Sequence, residues 1–241
     1  MRLVWMDVRD PCPTPEELGK LYNTSWLAPV ENSRDTGGTN IDLARSCARR
    51  LARSIGRRDF QGMHLLDFGA CKGEMMSALR ELGADVYGVE PFGHDYLVSK
   101  NLKMYHDIED IPADICFDGI LTSDVIEHLR KPWQEIARLR DRLKDSGWIY
   151  LSTPNANGLS AMVRRERWKE ASRPGHIVFF TSSSLRRTLE RTGYGDCRRL
   201  HWIVKYRASA LRRGAQYLLQ SCSPDGELRY LAYKQPTGSH A

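Results

Sequence analysis

Short apolar runs alternate with amphipathic stretches through the middle of the chain. Strand-like runs fall at residues 63–68, 85–89, 102–105, 116–121 and 148–152, and helical spacing predicts helices over residues 73–82 and 132–144. Buried parallel strands have this length and lack a polar face, and the helices between them cover both faces of the sheet. Another helix, over residues 182–192, leads to two more strands near 197–204 and 227–233, with a basic helical insertion at 207–219 between them. The pattern predicts an α/β fold: a doubly wound, mainly parallel seven-stranded sheet with a closing antiparallel pair.

The amino-terminal part reads differently. Thr14, Pro15, Glu16 and Glu17 form a capping box with proline at the first helical position, predicting a short helix to about residue 23. An irregular stretch at residues 29–39, rich in Asn, Ser, Asp and Gly, precedes an amphipathic helix over about 40–57. Residues 1–58 therefore read as a helical appendage or lid, and 59–241 as the main domain.

Composition narrows the function classes. Hydrophobic residues make up 41% of the 241 positions and charged residues 27%, enough for a packed core. No apolar run approaches the roughly 20 residues that span a bilayer. The first residues carry acids and prolines where a signal peptide needs an unbroken apolar stretch, so the expected location is the cytoplasm. The six cysteines stand singly, with no Cys-x-x-Cys pair, so reduced thiols and no metal site are expected. The net charge of +6 permits an anionic partner. Arginines within residues 44–58 nevertheless fall opposite apolar positions at helical spacing, as on a solvated helix face.

The chemistry concentrates in LLDFGACKG, residues 65–73. A strand ends in Asp67, and Gly69 and Gly73 lead into a helix. Glycines at such a turn let the backbone approach a ligand closely. A second strand, VYGVE, ends in Glu90, placed as a ribose-binding carboxylate should be. Asp67 argues against a dinucleotide, because a carboxylate at the loop entrance repels a pyrophosphate. It suits an adenosine cofactor that lacks phosphate and carries positive charge.

These segments resemble the ordered motifs of class I S-adenosylmethionine-dependent methyltransferases. LLDFGACKG is similar to their first motif and VYGVE to the acidic motif of the second strand. FDGILTSDVIEHL (residues 117–129) and GWIYLSTPN (147–155) resemble the segments around the fourth and fifth strands. PGHIVFFTSSSLRRTLERTGY (174–194) resembles the stretch that follows in the branch including ubiquinone-biosynthesis O-methyltransferases. The resemblance covers residues 60–194 and implies a Rossmann-like methyltransferase fold with S-adenosylmethionine as cofactor. It implies that Asp67, Gly69, Cys71 and Gly73 surround the methionine part, Glu90 the ribose, Asp107 and Ile108 the adenine, and Thr122 and Ser123 the transferable methyl. Cys71 replaces the family's middle glycine, which a small side chain tolerates where φ stays negative.

Methyl transfer from a sulfonium is a direct displacement, so the protein mainly aligns the two reactants. A hydroxyl acceptor also needs a base, and neutral histidine suits that role near pH 7. His176, in the loop that the resemblance sets over the acceptor pocket, His128 after the fourth strand, and Asp124 are the candidates. The acceptor pocket is expected to draw on residues 155–172 and the amino-terminal helices. Trp26 and Trp168 are wall or anchor residues there, and the run Arg164, Arg165, Glu166, Arg167 reads as a solvated lid surface. The expected acceptor is a small molecule methylated on oxygen: a metabolite, sugar or ring hydroxyl. An RNA methyltransferase and a catalytically silent cofactor-binding protein are the alternatives. No RNA-binding module stands out, and LTSDVI occupies the place of the Asn/Asp-Pro-Pro-aromatic motif of base N-methylation, so nucleic acid is not the expected partner.

Overall fold

The computed structural model describes residues 7–8, 12–14, 16–21, 40–201 and 226–236. The loop at 29–39, Trp26, the basic insertion at 207–219 and residues 237–241 lie outside the described residues. In chain order the elements are β1 (Asp7–Val8), α1 (residues 16–21), α2 (Asn40–Ser54), β2 (His64–Phe68), α3 (Glu74–Glu81), β3 (Asp85–Val89), α4 (His94–Ser99), β4 (Lys103–Tyr105) and β5 (Phe117–Ser123). They continue with α5 (Pro132–Asp141), β6 (Leu143–Pro154), α6 (Leu159–Arg164), α7 (Lys169–Ser172), β7 (Val178–Phe179), α8 (Ser182–Arg191), β8 (Tyr194–Arg199) and β9 (Glu227–Lys234).

The main sheet has seven strands in the order β4-β3-β2-β5-β6-β9-β8. Strands β4, β3, β2, β5 and β6 run parallel, and β9 is antiparallel to both of its neighbours. The strand order reverses between β2 and β5, which opens a crevice beyond their carboxyl ends, the place where ligands bind in doubly wound sheets.

Residues alternate between the two faces. Leu66, Ile120, Ile149 and Leu151 belong to the core under α5 and α8, whereas Leu65, Leu121, Trp148 and Tyr150 belong to the core under α2 and α3. This period of two along each strand puts apolar side chains on both faces, as the unbroken runs require. The capping box at Thr14 forms as expected: its N–H donates to Glu17 Oε2 at 2.7 Å, and the Glu17 N–H donates to Thr14 Oγ1 at 3.2 Å.

Two boundaries differ from the sequence reading. The helix expected to reach residue 144 stops at Asp141, because Leu143 already pairs with Phe117. The register then shifts and resumes at Gly119 and Trp148, after Ser146 takes a φ of 62°. Strand β8 starts at Tyr194, earlier than expected. Tyr194 is fully buried and its hydroxyl donates to the Ile136 carbonyl at 3.2 Å, which fixes the strand's start against α5.

Candidate active site

The loop after β2 is built for close approach. A Cβ on Gly69, whose φ is 83°, would stand 2.3 Å from Val125 Cγ2. A Cβ on Gly73, with φ 78°, would stand 2.7 Å from Leu102 Cδ1. Both positions therefore need glycine for space as well as conformation. The N–H groups of Gly69 and Ala70 donate to the Val89 carbonyl at 2.9 and 3.1 Å, tying the loop to the end of β3.

Cys71 departs from the expected negative φ and adopts 48°. The left-handed conformation costs a non-glycine residue about 1–2 kcal/mol. It turns the Cys71 N–H onto Glu90 Oε2 at 3.0 Å, while the Phe92 N–H donates to Glu90 Oε1, also at 3.0 Å. Glu90 is 7% exposed. Burial pushes its carboxyl up, and the N–H groups of Phe92, Cys71 and Gly93 pull it back. A carboxylate oxygen accepts more than one hydrogen bond, so these contacts orient Glu90 and leave it capacity for ribose hydroxyls.

Asp67 is 4% exposed at the end of β2. Burial, with Glu90 and Glu74 nearby, pushes its pKa up to about 7. A buried carboxyl ringed by other acids repels phosphate and favours a cationic ligand. The glycine cradle and these acids fit the amino-acid and sulfonium part of S-adenosylmethionine. Asp107 lies two residues beyond Tyr105, whose carbonyl accepts the Glu90 N–H at 3.0 Å. Its side chain caps the 3-10 turn Ile108–Asp110, and Ile108 is buried.

The end of β5 carries the other half. Thr122 is fully buried and its Oγ1 has no hydrogen-bond partner among the described residues; Ser123 next to it is half-buried. Asp124 follows with φ 53° and donates its N–H to the Ser152 carbonyl at 3.0 Å. It keeps an open face to solvent, while the protein around the rest of the carboxyl pushes its pKa up, with Arg229 pulling the other way.

His128 and His176 come together. Their rings meet edge to face with centroids 4.6 Å apart. His128 Nδ1 lies 2.9 Å from the Gly175 carbonyl, and a second backbone bond, at Asp124, also holds the ring. Burial lowers the His128 pKa, keeping the ring neutral near pH 7. His176 is 3% exposed, with Nδ1 3.7 Å from Glu170 Oε2.

Sequence reasoning missed Glu127. It is 1% exposed, and Oε2 accepts the Thr153 hydroxyl at 2.9 Å while Oε1 has no hydrogen-bond partner among the described residues. Burial, then Asp124, raises its pKa to about 8. Ligand atoms of Glu127, His128 and His176 lie within 4.8 Å of one another. Such a set can share a proton or hold a divalent cation. An acid adjacent to His128 just past a strand end was the available signal.

Trp168 is buried against Phe179, with ring centroids 5.8 Å apart, and anchors the segment between β6 and β7. A cavity of about 540 Å³ lined by Val163, Arg164, Arg165, Glu166 and Arg167 lies in that segment and includes no candidate site residue.

The methyltransferase-domain family matches residues 40–196. The chain belongs to that family. The methyltransferase is 26% identical over 189 residues to the ubiquinone biosynthesis O-methyltransferase of Dinoroseobacter shibae, a match covering 70% of this chain and 76% of that one. It is 30% identical over 161 residues to the protein of the same name from Nitrobacter winogradskyi, covering 61% of each. In fold it is similar to the 1,6-didemethyltoxoflavin-N1-methyltransferase of Burkholderia thailandensis, solved with 1,6-didemethyltoxoflavin and S-adenosylhomocysteine. That likeness has a TM-score of 0.59 at 16% identity and covers 95% and 94% of the two chains. The enzyme is a class I methyltransferase that uses S-adenosylmethionine. None of its helices among the described residues is long and apolar enough to cross a membrane.

Proposed function

We propose that this enzyme methylates a hydroxyl group of a small-molecule acceptor. The observation that carries the reading is the convergence of Asp124, Glu127, His128 and His176 just beyond the end of β5. In the register, Asp67 pairs with Leu121 of β5, which sets this cluster within a few residues of the cofactor loop. Methyl transfer to a hydroxyl requires removal of a proton, whereas transfer to a neutral amine does not require a base to start the displacement. Two histidines with carboxyl groups around them, near the glycine loop, support oxygen as the target, and the names of the relatives agree with it.

In this reading Asp67, Gly69, Cys71 and Gly73 hold the methionine part of the cofactor, Glu90 the ribose, and Asp107 and Ile108 the adenine. Thr122 and Ser123 stand beside the methyl. His176 takes the acceptor proton, with His128 and Asp124 behind it. When bound, S-adenosylmethionine supplies an electrophilic methyl. The chain holds the acceptor oxygen in line and removes bulk water through the buried ring of His176.

The test is a panel of catechols, phenols, sugars and amines incubated with enzyme and methyl-labelled S-adenosylmethionine, with products read by mass spectrometry. Labelled ethers from hydroxyl acceptors are expected. Label appearing solely on nitrogen, or on RNA added to the same panel, would defeat the reading.

A further inference from the structure

Arg138 on α5 reaches across to the turn that follows β4, and every nitrogen of its guanidinium is engaged, two by that turn and one by Glu135 of its own helix. Nη2 donates to Asp107 Oδ1 at 2.8 Å and to Glu109 Oε1 at 2.9 Å. Nε donates to the same Glu109 oxygen at 3.3 Å, and Nη1 to the two Glu135 oxygens at 3.0 and 2.8 Å. One planar fork is thus fixed by three carboxylates. Arg138 is 38% exposed and Asp107 57%, so any one of these ion pairs contributes little, but the network as a whole defines a geometry.

Asp107 is held from its other side as well. Its Oδ1 accepts the Glu109 N–H at 3.1 Å, and its own N–H donates to Asp110 Oδ2 at 2.9 Å. Oδ1 is therefore committed to the turn and to Arg138; the carboxylate also takes backbone N–H groups of Ile108 and Asp110, and because a carboxylate oxygen accepts more than one bond, Oδ2 keeps capacity for a ligand. Ile108, next in the chain, is buried in the core.

We propose that Arg138 is a positioning residue for cofactor recognition. By pinning Oδ1 it presents Oδ2 of Asp107 to the 6-amino group of adenine, and so sets a preference for 6-aminopurine cofactors. The inference rests on the reading of Asp107 and Ile108 as the adenine site. A carboxylate oxygen held in one orientation accepts the amino N–H without first losing rotamer freedom. With hydrogen at purine position 6 it is left without that partner, which discriminates against the ligand. Without Arg138 the carboxylate keeps only the bonds of its own turn, its orientation is less well defined, and the advantage of the amino group shrinks.

The experiment is calorimetric titration with S-adenosylhomocysteine and with its analogue carrying hydrogen in place of the 6-amino group. The wild type should bind the amino ligand about tenfold or more tightly. Arg138→Met should weaken that ligand by about threefold to tenfold and leave the analogue within about twofold. Arg138→Lys, which keeps the charge and loses the fork, should fall between. Arg138→Gln, which retains a donor, serves as the second variant should Arg138→Met fold poorly. Equal weakening of both ligands, or no change in either, would overturn the role of Arg138. Asp107→Ala separates the two claims. If it keeps the preference, the adenine reading itself fails. If it loses the preference while Arg138→Met and Arg138→Gln keep it, the positioning role alone fails.

Discussion

The backbone N–H of Cys71 donates to Oε2 of Glu90 at 3.0 Å, linking the cofactor loop to the acid at the end of β3 across 19 positions of sequence. The bond depends on the positive φ of Cys71, so the strained residue and the buried Glu90 carboxyl are parts of one arrangement. Glycine at this position adopts the same φ without strain.

Cys71→Gly should therefore stabilise the folded enzyme by about 1 kcal/mol in urea unfolding and leave S-adenosylhomocysteine affinity within about twofold. Cys71→Val, branched at Cβ, should destabilise it and weaken the cofactor. A stable Cys71→Val with full affinity would mean that the loop tolerates another conformation.

Glu90→Ala removes the anchor of the loop and, in the proposed reading, the ribose acceptor. Affinity for S-adenosylhomocysteine should fall at least about tenfold in calorimetry, since each charge-assisted hydrogen bond contributes about 1.5–3 kcal/mol. Circular dichroism should show the fold retained, because the sheet pairing does not involve this side chain. Unchanged affinity would remove Glu90 from the ribose site.

Asp67 gives the cofactor site a pH dependence. Its folded pKa of about 7 lies above the ordinary carboxylate range, so the folded state favours the protonated form. Stability of the free enzyme is then highest at low pH with respect to this group, and is lost as pH rises through about 7. The ionised form is the one that attracts a cationic ligand, so cofactor affinity should rise between about pH 6 and pH 7.5. Asp67→Asn should flatten that slope, weaken binding, and raise the melting temperature of the free enzyme at pH 8 by a few degrees. A slope that persists in Asp67→Asn would assign it to another group.

His176→Ala should lower kcat for a hydroxyl acceptor by about a hundredfold or more, with S-adenosylhomocysteine affinity within about twofold. His128→Ala should also loosen the Gly175 loop, which hydrogen exchange at residues 174–177 can measure. Full activity of His176→Ala would move the proton-accepting role to Asp124 or His128.

The sheet was legible because buried parallel strands announce themselves as short apolar runs, and β2, β3 and β5 lie where those runs fall. The short elements were not. β1 and β7 are two residues each and owe their pairing to tertiary contact alone, while α6 and α7 are too brief to show a period. Ordered motifs pointed to the glycine loop, and the structure sets Gly69, Gly73 and Glu90 around one turn. The meeting of His128 with His176 could not be read, because 48 positions separate them and a bond from His128 to the Gly175 carbonyl brings the two rings together. Glu127 escaped notice because an acid beside a histidine on a turn looks like surface until its burial is known.

The segment between β6 and β7 is clamped at both ends. Asn155 bridges to Phe180, and the Ile177 N–H donates to the Glu127 carbonyl at 2.9 Å. Everything between those clamps hangs from the sheet as a replaceable cassette. Its exposed positions can drift, or be rewritten in a library, while the glycine loop and the strand ends stay in register. A directed-evolution campaign for new acceptors should diversify the exposed positions 159–160 and 162–167 and leave Trp168, Gly175, His176 and the strand ends alone.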